Sequence, residues 1–120
     1  MSRVHKVFCY GSLKRGYGNH RLLEQSNFIS EDETENDKLQ LRCFGAYPGV
    51  YLDGNNTVKG ELYEVDDETF RRLDGLEGYP TFYDRMVVAL KSGESAWMYY
   101  LHEEPRGKLC EDGVWGGYRG

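Results

Sequence analysis

Val4-His5-Lys6-Val7-Phe8-Cys9-Tyr10 is mostly apolar, carries β-branched and aromatic residues, and stops at Gly11. That composition reads as a strand buried on both faces. Gly11-Ser12 starts a loop that Gly16, Tyr17 and Gly18 prolong, until Asn19 can cap a short helix running through Gln25 with Leu22 and Leu23 on it. Further on, Leu39, Leu41 and Cys43 alternate with Gln40 and Arg42, which predicts a half-exposed strand ending at the turn signal Tyr47-Pro48-Gly49. Val50 to Leu52 is a short strand. Asp53-Gly54-Asn55-Asn56 accepts positive φ at low cost and predicts a hairpin turn leading into Val58 to Val65. Asp66 or Asp67 can cap a helix whose apolar positions Phe70, Leu73 and Leu76 fall three apart, ending near Gly75 to Gly78. Beyond Pro80, Met86 to Leu90 and Ala96 to Leu101 form a hairpin about Ser92-Gly93. About six strands and two helices without regular crossovers predict an α+β architecture: a curled, mixed sheet with helices packed outside it. Gly113 to Gly120 is either a loop docked by Trp115 and Tyr118 or a loose tail.

A chain of 120 residues, 39% hydrophobic and 29% charged, has room for one domain, taken as 1–120, and one continuous core. It needs no staple at this size. No apolar run approaches the ~20 residues of a membrane span and no secretory signal precedes Val7, so a soluble, cytoplasmic protein without membrane contacts is expected. A net charge of −5 argues against nucleic acid as the main partner. From Met1 to Leu23 the chain has five Lys or Arg and no acid, followed by the acidic run Glu31 to Asp37. Those charges fit an anion-attracting end or simply solvated faces. Cys9, Cys43 and Cys110 are too few and too scattered for a metal or redox motif, so free thiols are expected, and neither metal nor cofactor. No coiled-coil seam is visible, and a monomer is expected.

Two features carry chemistry. Gly11 to Gly16 has the spacing of a phosphate loop but lacks the Lys and Ser or Thr that must follow it. Its start, Tyr10-Gly11-Ser12-Leu13, is either an ordinary turn or a bend whose successive N–H groups face outward to hold an anion or oxyanion. Glu77 stands at the C-terminal end of the predicted helix, where the helix dipole and the apolar neighbours Leu76 and Tyr79 disfavour a carboxylate and raise its pKa. It reads as a solvated glutamate at a helix end or as a group for proton transfer at neutral pH. Cys9 with His20 lacks an activating neighbour for a nucleophile and base. Tyr79, Phe82, Tyr83, Trp97, Tyr99 and Tyr100 are core rings or pocket walls.

Two segments together are recognisable. Val7-Phe8-Cys9-Tyr10-Gly11-Ser12-Leu13-Lys14-Arg15-Gly16, with Asn19-His20 beyond, resembles the N-terminal substrate loop of the γ-glutamyl cyclotransferase-like family. Gly60-Glu61-Leu62-Tyr63-Glu64-Val65, then Leu73-Asp74-x-Leu76-Glu77-Gly78 and Tyr83-x-Arg85, resembles its second half in order and spacing. Leu13-Lys14-Arg15-Gly16 and Tyr83-x-Arg85 look most like the γ-glutamylamine cyclotransferase branch.

The resemblance implies a small mixed β-barrel flanked by helices, a cavity at the Tyr10 to Leu13 loop, and Glu77 as catalytic acid and base. It also implies a small-molecule γ-glutamyl substrate, cleaved without water when its α-amino group attacks its own γ-carbonyl, closing 5-oxoproline and expelling an amine or amino acid. Gly11, Ser12 and Leu13 would then hold the α-carboxylate or the oxyanion. Tyr10 and Tyr83 would be hydrogen-bonding walls, and Arg85 would attract the carboxylate or brace its strand. The alternative is a non-catalytic module that keeps the glutamyl pocket to bind a small ligand.

Overall fold

Side chains alternate across a strand, so one strand buried on both faces feeds two cores. The computed structural model describes residues 3–44 and 47–115. In it β1 (Val4–Cys9) sends Val7 and Cys9 into one hydrophobic cluster and Phe8, followed by Tyr10, into another. Burial begins only at Val7; Val4 is exposed, and His5 and Lys6 are half-buried.

β5 (Lys59–Asp66) lies antiparallel to β1, from Val4↔Asp66 to Cys9↔Glu61. On the other side β7 (Ser95–Tyr100) runs parallel to β1 through Val7↔Trp97. With β2 (Asn27–Glu33) and β6 (Asp84–Ala89) outside them, the sheet order is β2-β5-β1-β7-β6. A second sheet holds β3 (Leu39–Cys43) between β4 (Pro48–Leu52) and β8 (Lys108–Leu109). Single bridges, Tyr51↔Leu101 and Thr34↔Leu90, tie these edges together. The α+β class holds, with two curled sheets in place of a closed barrel.

Several local expectations change. β2 was not anticipated, because its Glu31-Asp32-Glu33 half is polar; an edge strand needs no apolar alternation, and charge there discourages unwanted pairing. The Asn19 to Gln25 helix is a single 3-10 turn over His20–Leu23. Asn19 does not cap it, since its side chain donates to Ser12 Oγ instead. The Asp53 to Asn56 turn makes no hairpin between its flanking strands. β4 pairs with β3, and the turn bonds back along that strand through Gly54 N–H to Lys38 O and Asn56 N–H to Leu39 O, delivering β5 to the other sheet. Cys43 and Cys110 are joined in a disulfide with Cα atoms 6.7 Å apart, and Cys9 alone is a free, buried thiol. The expectation of three free thiols fails because these partners lie 67 residues apart in sequence and meet only where β8 lies beside β3. Trp115 is docked and fully buried; Tyr118 lies outside the described residues. No helix among them is long and apolar enough to cross a membrane.

The expected second helix is α1 (Asp67–Glu77). Asp66 caps it by accepting from Thr69 N–H at 2.7 Å, and Asp67 and Glu68 in its first turn suit the helix dipole. Gly78 ends it with φ 66°, while Tyr79 N–H reaches back to Asp74 O at 2.9 Å. That left-handed cap suits glycine, which has no Cβ to clash. Phe70 and Leu73 are buried against the sheet, whereas Leu76 is 43% exposed. A helix stripe runs i, i+3, i+4, i+7. From Phe70 it therefore continues through Leu73 and Asp74 to Glu77 and turns Leu76 outward.

Candidate active site

The first core strand delivers Tyr10 into a bend whose carbonyls are spent and whose amides are not. Gly11 O accepts from Lys14 N–H at 3.0 Å, and Ser12 O from Asn19 N–H at 3.1 Å. His20 Nδ1 lies 3.0 Å from Leu13 O. Among the described residues, the N–H groups of Gly11, Ser12 and Leu13 have no hydrogen-bond acceptor. Gly11 is needed for close approach, because a Cβ there would lie 2.8 Å from Pro48 Cγ on β4. Three consecutive unspent donors near β4 are an anion-binding arrangement.

Tyr10, Gly11, Ser12, Leu13, Glu77 and Tyr83 line one hollow. It offers about 40 Å3 to the centres of water-sized groups, so it admits a head group of a few heavy atoms and leaves the rest of a ligand outside. Among the described residues its lining contains no Lys, Arg or His. Three of the five cations of the acid-free N-terminal segment are engaged elsewhere: Lys14 Nζ donates to Trp115 O at 2.9 Å, Lys6 pairs with Glu94, and Arg15 lies 3.6 Å from Glu61. A wider trough of about 470 Å3, walled by Lys14, Glu31 to Glu33, Lys59 and Lys91, is open to solvent. It contains no Glu77, and its charges partly cancel through the Lys91–Glu33 pair at 3.0 Å.

Glu77 reaches the hollow as the last residue of the inward helix stripe. Its half-buried carboxyl has no hydrogen bond or ion pair among the described residues, and burial pushes its pKa up to about 7 from an ordinary 4.5. Near neutral pH such a group both takes and gives a proton. The Tyr10 hydroxyl donates to Tyr99 O at 2.8 Å and accepts from Val50 N–H at 3.3 Å, and the Tyr83 hydroxyl donates to Pro48 O. Burial and the nearby Glu77 charge push both phenols up, so they stay neutral. With their protons committed to carbonyls, these rings are fixed walls, and the amides remain the donors for a ligand. Burial pushes the Cys9 thiol up as well, which makes it a poor nucleophile.

Arg85 is not in this lining. Its Nε and Nη2 donate to Asp74 Oδ1 and Oδ2 at 3.0 and 3.3 Å, and its guanidinium stacks on Phe70, Tyr79 and Trp97 at 4.3–4.5 Å. Of the two roles open to it, this geometry is the bracing one, which corrects its assignment to substrate contact. The helix pattern places Asp74, with Arg71 and Arg72, facing water; the structure instead turns it inward, where it also accepts from the Tyr99 hydroxyl at 2.7 Å. The available signal was its position four residues after Phe70, on the buried stripe. Tyr47 and Pro48 also line the hollow; the sequence marks them as part of a turn signal and not as site residues. No group of three or more His, Cys, Asp or Glu side chains gathers among the described residues, and none is assigned to a metal.

A family model described as gamma-glutamyl cyclotransferase, AIG2-like, matches residues 7–117. A Vibrio cholerae protein provisionally named as a gamma-glutamylcyclotransferase is 38% identical over 112 residues, covering 92% of this chain and 95% of its own. Among solved structures, an uncharacterized Pyrococcus horikoshii protein superposes with TM-score 0.79 at 33% identity, over 92% of this chain and 88% of its own. An AIG2-like protein of Mus musculus gives TM-score 0.71 at 26% identity, over 82% and 77%.

Proposed function

This chain belongs to the gamma-glutamyl cyclotransferase, AIG2-like family, and from that premise we propose that it cleaves γ-glutamyl amides, γ-glutamylamines first among them, releasing 5-oxoproline and an amine. The observation that carries this reading is Glu77, a carboxyl at about 7 sharing a small hollow with the unspent amides of Gly11 to Leu13.

The chemistry follows from that pairing. The substrate's α-nitrogen attacks its own γ-carbonyl carbon, the new C–N bond closes a five-membered lactam, and the original amide C–N bond breaks. Because the attack is intramolecular, holding the glutamyl chain folded removes much of the entropic barrier. A free α-ammonium has pKa ~8, so passing its proton to a carboxylate at about 7 is uphill by about 1.4 kcal/mol, against about 5 for an unshifted one. Glu77 takes that proton and delivers it to the departing nitrogen, then takes the second proton that the attacking nitrogen sheds on becoming the lactam N–H; this one passes to the released amine, which departs as an ammonium ion. The amides of Gly11, Ser12 and Leu13 hold the α-carboxylate or the developing oxyanion, at close range and with little solvent between. Tyr10 and Tyr83 bound the space in which the chain folds.

Glu77→Gln tests this, since it keeps the shape and removes the base. We expect 5-oxoproline release to fall by 10²–10⁴-fold, on the order general acid–base catalysis contributes, with the fold and ligand binding retained. Turnover equal to the unchanged protein rejects the mechanism. Free glutamate in place of 5-oxoproline identifies water as the nucleophile instead.

A further inference from the structure

The hollow holds a glutamyl head and little more, so the leaving amine must extend past its mouth. What stands there is aromatic. Tyr47, which lines the hollow and is 37% exposed, lies edge-on to Phe82 with centroids 6.0 Å apart. Phe82, 43% exposed, lies edge-on to the other lining ring, Tyr83, at 5.0 Å. The row continues outward from Tyr47 to Phe44 at 5.3 Å.

Phe82 is fixed relative to the acid. Its N–H donates to Gly78 O at 2.7 Å, the next N–H, of Tyr83, donates to Glu77 O at 3.2 Å, and Phe82 Cβ packs over Gly78. The segment after the helix therefore folds back so that an exposed ring joins the two lining tyrosines, one turn from the carboxyl that handles the leaving nitrogen. Among the described residues, the one charge in the lining is that carboxyl. The cation stacked on the row, Arg106, lies 5.5 Å over the far ring Phe44 and within 3.6 Å of Glu103.

We propose that Phe82 and Tyr47 form the leaving-group subsite and that it selects γ-glutamyl amides of apolar, preferably aromatic, amines over those whose leaving group carries a carboxylate. This deepens the reading above and rests on it. A phenyl or alkyl group on the amine leaves water against these rings at the same moment that the glutamyl head enters the hollow. A carboxylate there meets no lining cation among the described residues and faces Glu77.

The test compares γ-glutamyl phenethylamide, γ-glutamyl methylamide and γ-glutamylglycine by 5-oxoproline release. It also measures calorimetric binding of each to the Glu77→Gln protein. We expect kcat/KM and affinity to favour the phenethylamide over the methylamide by on the order of tenfold or more, with γ-glutamylglycine lowest. Phe82→Ala should collapse the phenethylamide-to-methylamide ratio to within about twofold, and Phe82→Arg should raise γ-glutamylglycine relative to both amides. A ratio near one in the unchanged protein, or one that survives Phe82→Ala, overturns the subsite. If no compound yields 5-oxoproline but the binding preference and its loss in a Glu77→Gln, Phe82→Ala double variant are seen, the subsite stands and the catalytic reading falls.

Discussion

Arg85 is held by Asp74 in a two-point ion pair, one turn of helix before Glu77. Both partners are mostly shielded, at 17% and 22% exposure, and three aromatic rings surround the guanidinium. The arrangement engages a cation two residues beyond the lining Tyr83, and among the described residues Glu77 has no neutralising partner. Arg85→Met should therefore cost about 2–3 kcal/mol of stability, below the 3–5 of a fully buried broken pair, read by urea unfolding. KM for a γ-glutamyl amide should change less than threefold; a rise of a hundredfold would return Arg85 to substrate contact.

Burial of Glu77 links activity and stability to pH in opposite senses. A base titrating at about 7 gives kcat/KM an ascending limb centred near that pH, and the substrate ammonium gives a descending limb near ~8. For stability, the folded pKa lies above the unfolded value, so the folded state binds more protons between the two. Stability therefore falls as pH rises from about 4.5 to about 7, by about 3 kcal/mol in all, and stays lower above that range. Glu77→Gln should match the unchanged protein near pH 4 and exceed its stability at pH 8. Parallel unfolding curves at the two pH values check this, and equal stability at pH 8 contradicts it.

The bend at Gly11 tolerates no side chain. Gly11→Ala places a methyl 2.8 Å from Pro48 Cγ, so either the bend or β4 must shift. The expected cost is 1–3 kcal/mol, typical of overpacking. A shifted bend misplaces the amides, so kcat/KM should fall by more than tenfold, and amide chemical shifts from Gly11 to Leu13 should move together.

The Cys43–Cys110 bond closes a loop spanning 67 residues of sequence. Cys110→Ser, or reduction with dithiothreitol, should lower unfolding stability by about 2–4 kcal/mol. Identical denaturation midpoints with and without reductant would show that the covalent link is energetically idle.

Local chemistry was the legible part of this molecule. β1 was readable from its unbroken apolar half, and α1 from a cap at Asp66 or Asp67, a stop near Gly75 to Gly78 and the spacing of Phe70, Leu73 and Leu76, of which Leu76 is exposed. The hairpin around Ser92-Gly93 was readable from two apolar runs. The Tyr10 to Leu13 bend and Glu77 stood out because each sits where backbone geometry makes its polarity unusual, and they meet in one hollow. What escaped was set by distant partners. Nothing near Cys43 announces Cys110, nothing near Gly11 announces Pro48, and the acidic half of β2 hides a strand that is set by its pairing with β5. The true role of Arg85 depends on Asp74, a polar residue on a stripe read from its apolar members alone.

The parallel pairing of β1 with β7 has a temporal consequence. Val7 leaves the ribosome well before its two neighbours, Tyr63 and Trp97, and contacts between such remote segments slow the search for the native state. A nascent chain that has reached α1 owns its acid and its amide bend but still lacks Tyr83 and Tyr99, which help enclose them. Competence should then appear abruptly, once β7 has been synthesised, with products truncated before it silent.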